Sequence, residues 1–90
     1  MVKRQKVDFA NDPFSKMGGK LRILREQHNM TISQLAETIQ VSNKTISNYE
    51  NGHNRMTIET LIKLYNTRAF GEFELEELLQ IFIVDIFIEK

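Results

Sequence analysis

Between residues 31 and 52 the chain reads TISQLAETIQVSNKTISNYENG, a stretch that accommodates little besides two short helices and a tight turn. Thr31 and Gln34 form a T-x-x-Q capping box, in which each side chain bonds the other residue's backbone amide. Ile32, Leu35, Ala36 and Ile39 follow at helical spacing. Gln40 and Val41 make the turn, and Ser42 caps the second helix. Asn51-Gly52 is a stop signal, because glycine adopts left-handed dihedrals without a Cβ penalty. On the second helix, Ile46 and Tyr49 form one narrow apolar stripe. Around them stand Asn43, Lys44, Thr45, Ser47 and Asn48. A helix that faces only water usually carries mixed charge. This one carries amides and hydroxyls, the groups that read base edges in a DNA major groove.

The flanking sequence supplies partners for this pair. Asp12 followed by Pro13 suits an N-cap and a first helical position. From there Phe14, Met17, Leu21, Leu24 and His28 fall at helical spacing, and Asn29 is expected to end the helix. Gly18 and Gly19 interrupt this pattern at about 1 kcal/mol each relative to alanine, which suggests a separate or frayed first turn. Thr57 caps a fourth helix whose expected core stripe is Ile58, Leu61, Ile62 and Tyr65. Gly71 precedes a final segment in which Leu75, Leu78, Leu79, Phe82, Ile83, Ile86 and Phe87 keep helical spacing. Its Glu72, Glu74, Glu76 and Glu77 suit a helix N-terminus. The β-branched and aromatic run over 81–88 also fits a strand. A helix is the expectation.

Ninety residues with 41% apolar content allow one core. With no cysteine, neither disulfides nor thiolate metal sites can form. Zero net charge conceals an asymmetry. Residues 1–68 carry eleven Lys or Arg against six acids, whereas residues 69–90 carry one Lys against six acids. The first part can therefore attract a polyanion. Residues 1–11, with Lys3, Arg4 and Lys6, are expected to form a flexible basic arm, residues 12–70 the domain proper and residues 71–90 a C-terminal helix. No signal peptide is visible, and the apolar run near the end is too short to span a bilayer. A cytoplasmic protein without membrane contact is expected. His28 and His53 do not stand at metal-ligand spacing. No paired carboxylates, nucleophile–base set or phosphate-cradling glycine loop appears, so no enzyme, metal, cofactor or small-molecule ligand is indicated.

Residues 21–65 resemble the Cro/phage-repressor type (XRE-like, lambda-repressor-like) helix-turn-helix family. The matching motifs are L-R-I-L-R-E at 21–26, Q-L-A at 34–36, V-S-N-K-T-I-S-N-Y-E-N-G at 41–52 and T-I-E-T-L-I-K-L at 57–64. The resemblance implies an all-α, five-helix domain with its third helix in the major groove. By position it implies that Asn43, Lys44 and Asn48 face base edges, and that Thr45 and Ser47 reach a base or a phosphate. It further implies phosphate contacts from Thr31, Ser42, Asn51, His53, Asn54 and Arg55. Arg25 and Glu50 match a pair that bridges the first and third helices in similar proteins. Three positions depart from the pattern. Ile32 stands where relatives often carry a phosphate-contacting Gln, Gln40 where a turn Gly is usual, and Arg68 where a buried Leu is common.

The C-terminal segment is too apolar for a single small core. Ile81, Val84 and Ile88 define a second face, and large exposed apolar patches usually mark interfaces. A homodimer is expected through Leu78, Ile81, Phe82, Val84, Ile86 and Ile88, with Phe70 and Phe73 assisting. These features together imply a sequence-specific DNA-binding transcriptional regulator, most simply a dimeric repressor on a palindromic operator. A restriction–modification controller or a DNA-binding antitoxin fits the same features. A protein-interaction module on the same fold is the alternative of another class, but it would favour acidic or apolar groups on the third helix.

Overall fold

The computed structural model describes residues 12–88. The basic arm expected over residues 1–11 lies outside the described residues. Helix α1 spans Pro13–Gln27, α2 Ile32–Ile39, α3 Asn43–Glu50 and α4 Ile58–Asn66. Helix α5 covers residues 75–87: it is α-helical over Leu75–Leu79, π-helical over Gln80–Val84 and α-helical again over Asp85–Phe87. The described residues contain no strand, so the aromatic and β-branched run at the end is helical.

Each of the first four helices begins where a capping residue dictates. Asp12 accepts from the Ser15 amide at 3.0 Å, Ser42 from the Thr45 amide at 3.0 Å and Thr57 from the Thr60 amide at 3.1 Å. At α2 the full capping box forms: the Gln34 amide donates to Thr31 Oγ1 and the Thr31 amide to Gln34 Oε1. These bonds satisfy donors that a helix start leaves orphaned. Helix α1 is continuous through Gly18 and Gly19, which corrects the expectation of a separate first turn. The reason is tertiary. A Cβ on Gly18 would lie 1.9 Å from the Tyr49 carbonyl oxygen, so the missing side chain is what lets α1 lie against α3. Between α2 and α3, Gln40 is left-handed at φ 61°, in the place where a glycine would be unstrained.

One cluster forms the core. Met17, Leu21 and Leu24 of α1 meet Leu35, Ala36 and Ile39 of α2, Ile46 and Tyr49 of α3, Leu61 and Leu64 of α4, and Leu78, Phe82 and Ile86 of α5. Two expectations about this core are corrected. In α4 the buried stripe is Thr60, Leu61 and Leu64, while Ile58 is 60% exposed and Ile62 43%. Thr60 can be buried because its hydroxyl is satisfied by Tyr49 Oη at 3.0 Å and Thr57 Oγ1 at 3.1 Å. In α5, Leu78, Phe82 and Ile86 face the chain's own core and are withdrawn from the expected dimer surface. Phe70 is likewise buried, and Phe73 packs against the core. Arg68 is exposed and left-handed at φ 57°, so it takes no part in the core.

The π-helical turn explains the narrow buried row of α5. An α turn holds fewer residues than a π turn, so residues four apart drift in opposite directions around the axis in the two forms. Alternating the two keeps Leu78, Phe82 and Ile86 in line. Ile81, Ile83 and Val84 are left half-buried, and Phe87 and Ile88 are exposed. No helix among the described residues is long and apolar enough to cross a membrane.

Candidate nucleic-acid interface

Helices α2 and α3 present their N-termini to one side of the molecule. At α2 the capping box consumes two amides and leaves those of Ile32 and Ser33 without an intrahelical acceptor. At α3 the Ser42 cap leaves those of Asn43 and Lys44. These four residues line a wide, open concavity of about 850 Å³, together with Thr31, Ser47, Asn48, Asn51 and His53. Its remaining walls are Arg25, Met30 and the edge of α2. Among the described residues, no carboxylate lines it. Two helix dipoles with their positive ends converging, plus the Lys44 ammonium, make the concavity attractive to anions. It is too open to enclose a small molecule and suits a long, convex partner.

The individual side chains are held by identifiable neighbours. Asn43 Nδ2 donates to Ser33 Oγ across the turn at 2.8 Å, which orients the amide at the first position of α3. Lys44 is exposed and forms no ion pair among the described residues. Asn48 is half-buried, and its carbonyl accepts from the His53 amide at 2.9 Å, so the loop after α3 is tied to the same residue that projects its side-chain amide. Asn51 Nδ2 donates to Ser47 Oγ at 3.3 Å. Thr45 Oγ1 bonds Ser42 Oγ at 2.9 Å, and this pair sits at the helix start rather than in the concavity. Asn54 and Arg55 are exposed but lie outside it. The Arg55 guanidinium is instead stacked 4.2 Å over the Phe14 ring.

Beneath the concavity, Arg25 locks three elements together. Its Nε donates to Glu50 Oε2 at 2.7 Å, its Nη2 to Glu50 Oε1 at 3.1 Å and its Nη1 to the Met30 carbonyl at 2.8 Å. The two side chains are 11% and 5% exposed. The hydrogen bond to Glu50 raises the Arg25 pKa above the ordinary arginine range. Burial opposes this, and the nearby charges of Glu50 and Glu26 add to it. A raised pKa on a cation contributes stability that is present below the ordinary arginine range and lost as pH rises through the raised value, so the Arg25 guanidinium stays charged at the neutral pH at which nucleic acids are studied. A buried pair of this kind adds little net stability but fixes geometry, here the angle at which α3 leaves the body of the domain.

Ser33 is the site residue that sequence reasoning passed over. The available signal was a small hydroxyl beside the α2 cap, but it lies ten residues before the first residue of α3 and only the packing of the two helices brings the pair together.

The family model described as helix-turn-helix matches residues 21–66, which covers the second half of α1, α2, the turn, α3 and all of α4. The chain belongs to the helix-turn-helix family. Curated relatives agree. The chain is 41% identical over 63 residues, 70% of its length, to a candidate helix-turn-helix-type transcriptional regulatory protein of Methanosphaerula palustris, where the match covers 20% of the relative. It is 49% identical over 47 residues, 52% of its length, to one of Methanocella arvoryzae, covering 14% of that protein. It is 45% identical over the same length to one of Methanothermobacter thermautotrophicus, covering 15% of it. The chain thus spans a fifth or less of these relatives. No solved structure matches it.

Proposed function

We propose that this helix-turn-helix chain is a DNA-binding transcriptional regulator that seats a duplex in the concavity between the N-termini of α2 and α3. Asn43, Lys44 and Asn48 then face base edges in the major groove. Asn pairs bidentately with adenine, and Lys donates to guanine O6 and N7. Thr45 and Ser47 reach a base or a backbone oxygen. Thr31, Ser42, Asn51, His53, Asn54 and Arg55 hold phosphates along the two flanks. The observation that carries this reading is the convergence itself: two positively poled helix ends and a row of amides line one open surface on which no carboxylate stands among the described residues. A module built to bind another protein through α3 would need apolar or acidic groups there, and the face has neither. The naming of the relatives as transcriptional regulators supports the same reading.

The active form in this proposal is a homodimer joined through the outer side of α5, where Val84 and Ile88 remain after the core has taken Leu78, Phe82 and Ile86, with half-buried Ile81, which packs against that core, at its edge. Repression by occupancy of a promoter is the simplest consequence. Selection of bound duplexes from a random pool tests the reading. The expected product is an enriched two-fold site with half-sites about 34 Å apart. A pool that stays random after repeated rounds contradicts it.

A further inference from the structure

Arg55 occupies an exposed loop, yet its guanidinium is not loose. It lies 4.2 Å over the face of Phe14, the second residue of α1. Phe14 is in turn met edge-on by Phe87 from the end of α5, with ring centroids 5.4 Å apart and planes at 62°. Three elements distant in sequence therefore combine to hold one cation. A cation–π contact engages the face of the ring and uses none of the guanidinium N–H groups in a hydrogen bond. Among the described residues, no protein acceptor takes them. A long arginine side chain loses rotamer freedom when it grips an anion, and prior stacking removes part of that loss.

We propose that Phe14 is a positioning residue for Arg55: its ring, braced by Phe87, presents the guanidinium ready-oriented to a DNA phosphate. The inference rests on the DNA reading above and deepens it. The loop 53–55 begins inside the concavity at His53 and ends on this stack. The backbone of a duplex seated on α3 would meet Arg55 just beyond the rim. The effect is blind to base sequence, because a phosphate carries none. It also ties the end of α5, the helix assigned to dimerisation, to a DNA-contacting loop on the body of the domain.

The test is equilibrium titration of a mixed-sequence DNA duplex with the wild-type chain, Arg55→Ala, Phe14→Leu, Phe14→Tyr and the double variant Arg55→Ala/Phe14→Leu. Thermal melting of each verifies the fold. Leucine keeps the apolar bulk and removes the π-face, whereas tyrosine keeps both. Phe14→Leu is expected to weaken binding about two- to five-fold, the scale of an exposed cation–π contact. Phe14→Tyr is expected to restore wild-type affinity, and Phe14→Leu to add nothing in the Arg55→Ala background. If Arg55→Ala weakens binding but Phe14→Leu does not, or costs the same in both backgrounds, the positioning role is overturned and the DNA reading stands. If Arg55→Ala itself changes nothing, Arg55 leaves the phosphate set and the positioning role falls with it. A wild-type chain that holds no duplex overturns the inference and the DNA reading together.

Discussion

Gly18 and Gly19 are neighbours of identical chemistry with opposite consequences. In a helix interior a glycine costs up to about 1 kcal/mol relative to alanine through backbone entropy. At Gly19 nothing lies within 4 Å of a built Cβ, so that cost is recoverable. At Gly18 the Cβ would meet the Tyr49 carbonyl at 1.9 Å, and α1 and α3 would have to separate. Gly19→Ala is expected to raise stability by about 0.5–1 kcal/mol, and Gly18→Ala to lower it by about 1–3 kcal/mol. Chemical denaturation of both variants measures the two effects. Equal shifts for both would show that α1 and α3 do not approach as described. The same close approach sets α3 upon the body of the domain, and Arg25 with Glu50 then fixes its angle. The placement of Asn43 and Asn48 therefore depends on residues that touch no ligand.

At the scale of elements, α5 divides its apolar residues between two tasks. Leu78, Phe82 and Ile86 close the core, and Phe82 is fully buried. Val84 is left half-buried at the edge of that row, and Ile88 is 61% exposed. Phe82→Ala is expected to cost about 3–5 kcal/mol of stability without altering the assembly of whatever remains folded. The pair Val84→Asn and Ile88→Asn is expected to convert dimers to monomers in sedimentation, to keep a cooperative melting transition and to remove its dependence on protein concentration. A wild-type chain that sediments as a monomer, or a variant pair that sediments as wild type does, would remove this face from the assembly.

Much of this layout was legible in the chain because helix starts are local. Asp12, Thr31, Ser42 and Thr57 each bond an amide three residues on, and no distant neighbour is needed to make that happen. The left-handed Gln40 could also be read, from a turn position where glycine is the usual occupant. What could not be read was tertiary. The apolar pattern of α4 pointed to Ile58 and Ile62, and the fold buried Thr60 instead because Tyr49 was there to satisfy its hydroxyl. The value of Gly18, the Ser33 support of Asn43 and the stack under Arg55 likewise depend on which helices meet. The π-helical turn, which decides the faces of α5, leaves no mark in a pattern read at α-helical spacing.

For the whole molecule, the account separates two kinds of affinity. The helix N-termini, Lys44, Arg55 and the rest of the phosphate set attract any duplex, and this attraction weakens with added salt because releasing condensed counterions into a more concentrated solution gains less entropy. The amides on α3 add discrimination on top of it. The charge asymmetry of the chain serves the first kind. With eleven of its twelve basic residues before residue 69 and half of its twelve acids after it, a neutral protein still offers a polyanion a favourable side. The geometry of the concavity serves the second, since Asn48 is anchored through the His53 amide and projects from the middle of α3. The most direct measurement is a titration of wild type and Asn48→Ala against a selected site and a scrambled duplex at one salt concentration. The account predicts a loss of about 1–3 kcal/mol on the selected site and almost none on the scrambled one. Equal losses on both duplexes, or no loss on either, would contradict it.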